Sequence, residues 1–207
     1  VLLFQIPQPI PTAPSATAQR RIRPGERMRF DVISDWESPN GRAHYQYAME
    51  LQVEKTKQKK VEYTVVARIT GLTAVYDGTE THTDNAGVIP MTLSAGGPPM
   101  GLAAGGTIST FAIPLLALTV PTSPPGADGN FPVAAFGIAR LGTFAGSGHL
   151  DTTPRGETIT LRLTMGAGEA APRYDVVSQF REAGELAHAA GTFADGNGAL
   201  KFTVIRR

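Results

Sequence analysis

At 207 residues, with Lys+Arg 19 against Asp+Glu 18 and a formal net charge of +1, the chain has no global field that favours nucleic acid or an anionic membrane. Cysteine is absent, which excludes a disulfide framework, a thiolate nucleophile and any Cys-based zinc or iron–sulfur site. Gly 23, Pro 16 and 18% charged residues describe short strands joined by tight turns around one core rather than a disordered chain.

Val1-Leu2-Leu3-Phe4-Gln5-Ile6-Pro7 opens an apolar arm, residues 1–24, that continues through Pro9, Pro11 and Pro14. Each proline removes an amide donor, fixes φ and pushes its predecessor into an extended conformation, so the arm is predicted to be extended. Leu2, Leu3, Phe4, Ile6 and Pro7 would be exposed on a free tail, and the expectation is that they dock on a protein partner. The arm is too short and too rich in proline for a membrane span, which needs about 20 apolar residues. It lacks a basic n-region, although Ala16-Thr17-Ala18 has the small-x-small form of a cleavage site. An exported protein, periplasmic or extracellular, is expected, with any signal or anchor lying upstream and membrane contact only indirect.

Residues 25–207 read as a single β-rich domain. Met28, Phe30 and Val32 alternate with Arg27, Arg29 and Asp31 in a strand ending near Trp36 and the turn Ser38-Pro39-Asn40-Gly41. The clearest pattern follows over 43–54: Tyr45, Tyr47, Met49, Leu51 and Val53 share one face, and His44, Gln46, Glu50 and Gln52 the other. After the polar connection Lys55–Lys60, Val61, Tyr63, Val65, Ala67 and Ile69 form the partner strand of a long hairpin. Shorter strands are predicted over 72–76, 79–83, 87–93, 107–113 and 115–120. Glycine- and proline-rich loops are predicted at 94–106 and 121–131, the first with an apolar tip, Pro98, Pro99 and Met100, as a second contact candidate.

Ile159, Leu161, Leu163 and Met165 make a further strand, and Tyr174, Val176 and Phe180 another. The best helical candidate, 178–190, is interrupted by Gly184 and reads equally as a hairpin. Leu186–Phe193, the turn Asp195-Gly196-Asn197-Gly198, and Leu200, Phe202 and Val204 close the chain as a hairpin. The fold class is therefore all-β: an antiparallel meander, sandwich or half-barrel behind an extended Pro-rich N-terminal arm.

Residues with catalytic potential find blander readings. Ala145-Gly146-Ser147-Gly148-His149 lacks the first glycine and the strand-to-helix context of a nucleophile elbow and reads as a glycine turn. Gly166-Ala167-Gly168-Glu169-Ala170-Ala171 has the spacing of a loose dinucleotide fingerprint, but Pro172 stands where the helix should run, so a connecting turn is expected. His82 with Asp84 and His149 with Asp151 place imidazole and carboxylate on one strand face, without the converging third ligand a metal needs. Ala-Asp-Gly-Asn, at 127–130 and again at 194–197, lacks the further carboxylates of a calcium site and reads as turn chemistry. Lys55, Lys57, Lys59 and Lys60 read as a solvated hairpin tip, and Tyr45, Tyr47 and Tyr63 as core rather than a stacking platform. No catalytic residue, cofactor or metal is expected.

The order of long hairpins, the run Val65-Val66-Ala67-Arg68-Ile69, and the ending from Gly184-Glu185-Leu186 through Ala194-Asp195-Gly196 to Phe202-Thr203-Val204 resemble periplasmic half-barrel carriers of the lipoprotein-carrier type. The resemblance implies a curved antiparallel sheet around an apolar cavity for acyl chains, lined by the face of Tyr45, Tyr47 and Met49. Two functional expectations result. The leading one is a non-enzymatic extracytoplasmic accessory subunit docked through its arm on a larger membrane-associated assembly or on another copy of itself; the other is a periplasmic carrier of a lipid or other apolar ligand.

Overall fold

The computed structural model describes residues 24–57, 62–94, 99–100, 111, 113–118, 125–138, 142–166, 171–182 and 184–207. Eleven strands form one antiparallel sheet. They are β1 (Arg27–Ser38), β2 (Gly41–Lys57), β3 (Glu62–Tyr76), β4 (Thr79–Ser94), β5 (Pro99–Met100), β6 (Asn130–Ile138), β7 (Gly142–Thr153), β8 (Gly156–Met165), β9 (Arg173–Phe180), β10 (Leu186–Asp195) and β11 (Gly198–Arg206). The all-β expectation holds, and within it the single-sheet alternative: the sheet is open and curled, with its edge strands β5 and β6 unpaired to each other although their Cα atoms come within 8 Å.

The spatial order β5-β4-β3-β2-β1-β11-β10-β9-β8-β7-β6 is a meander cut at its middle. From β1 the chain steps outward to one edge at β5, crosses through residues 101–129 to the opposite edge at β6, and steps back until β11 pairs with β1. Hence the first and last strands form the central seam, in register from Phe30 opposite Arg206 to Glu37 opposite Ala199. The crossing carries a short 3-10 helix, Ile113–Leu118, over the concave face of the sheet.

Period-two alternation makes that face apolar. Phe30, Val32, Leu51, Val65, Ala67, Ile159, Leu161, Val176, Phe202 and Val204 are among the side chains buried on it. A lone sheet must bury its apolar face against something; among the described residues the curl of the sheet and the 3-10 helix contribute to this. The convex face is polar and laced by exposed cross-strand ion pairs, Arg29 to Glu50 at 2.8 Å and Arg207 to Asp31 at 2.6 Å.

Two hairpin turns share one chemistry. In Ser38-Pro39-Asn40-Gly41 the serine hydroxyl donates to the Gly41 carbonyl at 3.2 Å and accepts from the Asn40 amide at 3.2 Å. Thr153-Pro154-Arg155-Gly156 repeats this with 3.0 and 3.3 Å. Between β3 and β4, Asp77 (φ 45°) and Gly78 (φ 87°) form the turn, both in the left-handed region that two-residue hairpins demand.

Four readings are corrected or decided. The segments 72–76, 79–83 and 87–93 are not separate strands but parts of β3 and β4, kept continuous by register shifts at Gly71 and Gly87, both with positive φ. Of the segment 115–120, Leu115–Leu118 are not strand but belong to the 3-10 helix, since a short apolar run has no periodicity to distinguish the two, and 119–120 lie outside the described residues. The helical alternative for 178–190 gives way to the β9–β10 hairpin.

The fourth is the glycine turn at 145–149, which is the middle of β7. Gly148 sits opposite Phe131 of β6, and a Cβ there would lie 2.2 Å from the Phe131 ring; one on Gly146 would lie 2.0 Å from the Arg162 carbonyl oxygen. These glycines are strand positions over which neighbouring groups pack closely. Gly191 of β10 repeats the device, with the ring of its partner Phe202 where a Cβ would stand at 2.7 Å.

Candidate functional site

The concave face is the candidate site. Met28, Phe30, Val32 and Ser34 come from β1; Tyr45, Tyr47, Met49 and Leu51 from β2; Tyr174, Val176 and Ser178 from β9; Leu200, Phe202 and Val204 from β11. Each set is the inward half of an alternating strand, so hydrophobic pattern and sheet curl together decide the lining. The Tyr45, Tyr47 and Met49 face lies inside, as its periodicity predicts, and all three side chains are buried.

Over this face lies the 3-10 helix, with Ile113–Ala117 buried. Phe111, just before it, meets Tyr45 and Tyr47 edge-on, with ring centroids 5.6 and 5.0 Å apart. At the other end the Ser178 hydroxyl donates to the Ala117 carbonyl at 2.9 Å. The cover is thus fastened by aromatic edges and one buried hydrogen bond. Short 3-10 pieces have poorer hydrogen-bond geometry than an α-helix.

Polar atoms within this apolar interior are the informative ones. Tyr45 OH has a partner in Tyr76 OH; burial first, then that bond, pushes its phenol pKa up. Ser34 Oγ, Tyr47 OH, Tyr174 OH and Arg206 Nη1 are buried without a hydrogen-bond partner among the described residues. A buried polar group left unsatisfied costs about 1–3 kcal/mol, and native structures tolerate few. Tyr47 and Tyr174 are held neutral, since burial raises both phenols well above their ordinary value. Arg206 faces inward, its side chain 14% exposed, with Nη2 3.4 Å from Glu185 Oε1.

Sequence reasoning missed Ser34, Tyr174 and Arg206 as a set. A signal existed: Ser34 interrupts the inward series Met28, Phe30, Val32, and Arg206 extends the inward series Leu200, Phe202, Val204. Absence of partners, however, is a property of the folded sheet alone.

Two of the clefts among the described residues lie on the convex face. One, about 510 Å³, lies by the β1–β2 turn, where His44 Nδ1 is 2.7 Å from Asp35 Oδ1; its lining contains no hydroxyl or thiol nucleophile. The other, about 310 Å³, contains Ser147 and His149. There His149 Nδ1 meets Asn130 Oδ1 at 2.9 Å and Nε2 meets Asp151 Oδ1 at 3.2 Å. Both ring nitrogens are engaged by side chains other than Ser147.

His82 lies 3.1 Å from Asp84, so both His-x-Asp pairs form on one strand face as their spacing predicts. Among the described residues no group of three or more His, Asp or Glu is placed to hold a metal ion. Both Ala-Asp-Gly-Asn strings make turns, with the Asn amide donating to the Asp carboxylate at 3.0 Å in the first and 2.8 Å in the second. No described helix is long and apolar enough to cross a membrane.

Of the expected partner contacts, Leu2, Leu3, Phe4, Ile6, Pro7 and Pro98 lie outside the described residues. Pro99 and Met100 form the edge strand β5, paired with Leu93 and Thr92. Lys59 and Lys60 of the basic tip also fall outside.

No family model matches the chain, and no curated protein matches it. Among solved structures it is similar to lipovitellin, in a study described as lipid–protein interactions in lipovitellin. The TM-score is 0.53 at 12% identity, over 90% of this chain and 25% of that one. The chain thus spans about a quarter of the length of the protein it matches, and the likeness is one of fold.

Proposed function

We propose that the protein is a carrier of an apolar ligand, held in the concavity of its curled sheet, with the 3-10 helix as a displaceable cover. The observation that carries this reading is an apolar concave face over which, among the described residues, a short 3-10 helix lies, and on which buried hydroxyls are left without partners. A core evolved only for packing favours apolar groups or paired polar ones at such positions. Two likenesses support it: the half-barrel carrier resemblance of the sequence, and a fold shared with a lipovitellin described by its lipid–protein interactions. Native mass spectrometry of the full chain, incubated with a total lipid extract and then stripped with organic solvent, tests it. Bound mass that disappears on stripping is expected, and a persistently ligand-free mass refutes the reading.

The docking role expected of Leu2, Phe4 and Ile6 draws no support from the described residues. Deleting residues 1–19 and following co-purification of partners decides it: unchanged association removes it.

A further inference from the structure

Resting on the carrier reading, we propose that the ligand is a neutral lipid, a hydrocarbon body bearing uncharged acceptor oxygens such as ester carbonyls, and that Ser34, Tyr47, Tyr174 and Arg206 donate to those oxygens. The four unpartnered atoms fall on β1, β2, β9 and β11, all on the concave side. Register places Ser34, Tyr47 and Arg206 on or beside the central seam and Tyr174 two strands from it, on β9. Tyr47 stands opposite Val32, one inward position before Ser34 on β1. Ser34 stands opposite Phe202, whose ring stacks on Tyr174 with centroids 5.8 Å apart. Arg206 stands opposite Phe30, one inward position beyond Val204.

Their chemistry is uniform. A guanidinium only donates, and the three hydroxyls each hold a proton to give. Burial keeps the two phenols protonated at any physiological pH. What the set lacks is acceptors.

Charge then selects among acceptors. The Arg206 guanidinium already faces Glu185 at 3.4 Å, and the charged residue among the buried described side chains is Glu157, a carboxyl. Glu157 lies on the same end of the face, opposite Phe180, which in turn stands opposite Leu186. Among the described residues the guanidinium nearest these donors is Arg206, already committed to Glu185, so an incoming carboxylate or phosphate would compete with that carboxylate for it, in an interior where an uncompensated charge is heavily penalised. An ester or ketone oxygen accepts from the same donors and brings no charge.

The test compares three probes of similar chain length offered to the stripped full chain from cyclodextrin: methyl oleate, oleate and a plain C18 alkene. Methyl oleate is expected to bind about tenfold tighter than either, the scale of one hydrogen bond to an otherwise unpaired buried donor. Tyr47→Phe and Tyr174→Phe delete hydroxyls that have no partner, so each should keep or raise Tm, lower methyl oleate affinity several-fold and leave alkene affinity unchanged. Equal or tighter binding of oleate, unchanged ester affinity in both Phe variants, or a lowered Tm in both overturns the neutral-lipid proposal while the carrier reading stands. Failure of all three probes to bind overturns both.

Discussion

Glycine in this sheet is a spacing device, and its effect depends on what packs across it. At Gly148 and Gly191 the ring of the cross-strand neighbour occupies the volume of the missing side chain, so Gly148→Ala and Gly191→Ala should each destabilise by about 1–3 kcal/mol, the scale of overpacking. Gly196, with nothing within 4 Å of a built Cβ, is the control: Gly196→Ala should stay within about 0.5 kcal/mol. Urea unfolding midpoints at constant slope measure all three. Asp128 offers a pH test. Its carboxylate accepts first from the Asn130 amide and then from the Asn130 side chain, which lower its pKa below the ordinary value. A depressed folded pKa stabilises above the unfolded value of about 3.9 and loses that contribution as pH falls through the lower folded value. The Tm gap between the protein and Asp128→Ala should therefore be open at neutral pH and close below about pH 4, by calorimetry across that range.

Among the elements, the 3-10 helix lies outside the sheet's ladder of backbone hydrogen bonds and is fastened to it by side-chain packing and the Ser178 hydroxyl. Ser178→Ala removes the buried hydrogen bond to Ala117 and leaves a carbonyl unsatisfied, which should cost about 1–3 kcal/mol. Hydrogen exchange should then accelerate at Ile113–Leu118 before the sheet responds; uniform acceleration everywhere would show that the cover and the sheet open together. That helix was also the hardest element to read. Ile113-Pro114-Leu115-Leu116-Ala117-Leu118 is apolar at every position, so neither a two- nor a 3.6-residue period distinguishes strand from helix. By contrast β1, β2, β8, β9 and β11 were legible because one face meets the interior and the other meets water. β6 and β7 were not, since Gly137, Gly142, Gly146 and Gly148 look like turn residues until an aromatic ring from the next strand covers one of them. For the candidate site, the Tyr45–Tyr47–Met49 lining followed from alternation. The donors Ser34, Tyr174 and Arg206 did not, because an unmade hydrogen bond leaves no pattern in a sequence.

For the whole molecule, the decisive contact is β1 with β11, which joins Phe30 to Arg206 across nearly the full length of the chain. Topologies dominated by such distant pairings fold slowly, in about milliseconds to seconds, and stopped-flow refolding should place this protein there. Removing residues 198–207 should abolish cooperative unfolding and produce aggregation, since it bares the facing edges of both β1 and β10; a monomeric, cooperatively melting product would contradict the seam's importance. The outer edges are better guarded: Pro132 in β6 and Pro99 in β5 interrupt the amide row that another sheet would need. The crossing from β5 to β6 has a further consequence during synthesis. The ribosome releases the roof of the concavity before the second of its two walls, and the last strand, β11, must slot between two neighbours already in place. Until that insertion the interior stands open along its midline, its apolar side chains facing water, and that interval is when the protein most depends on chaperones.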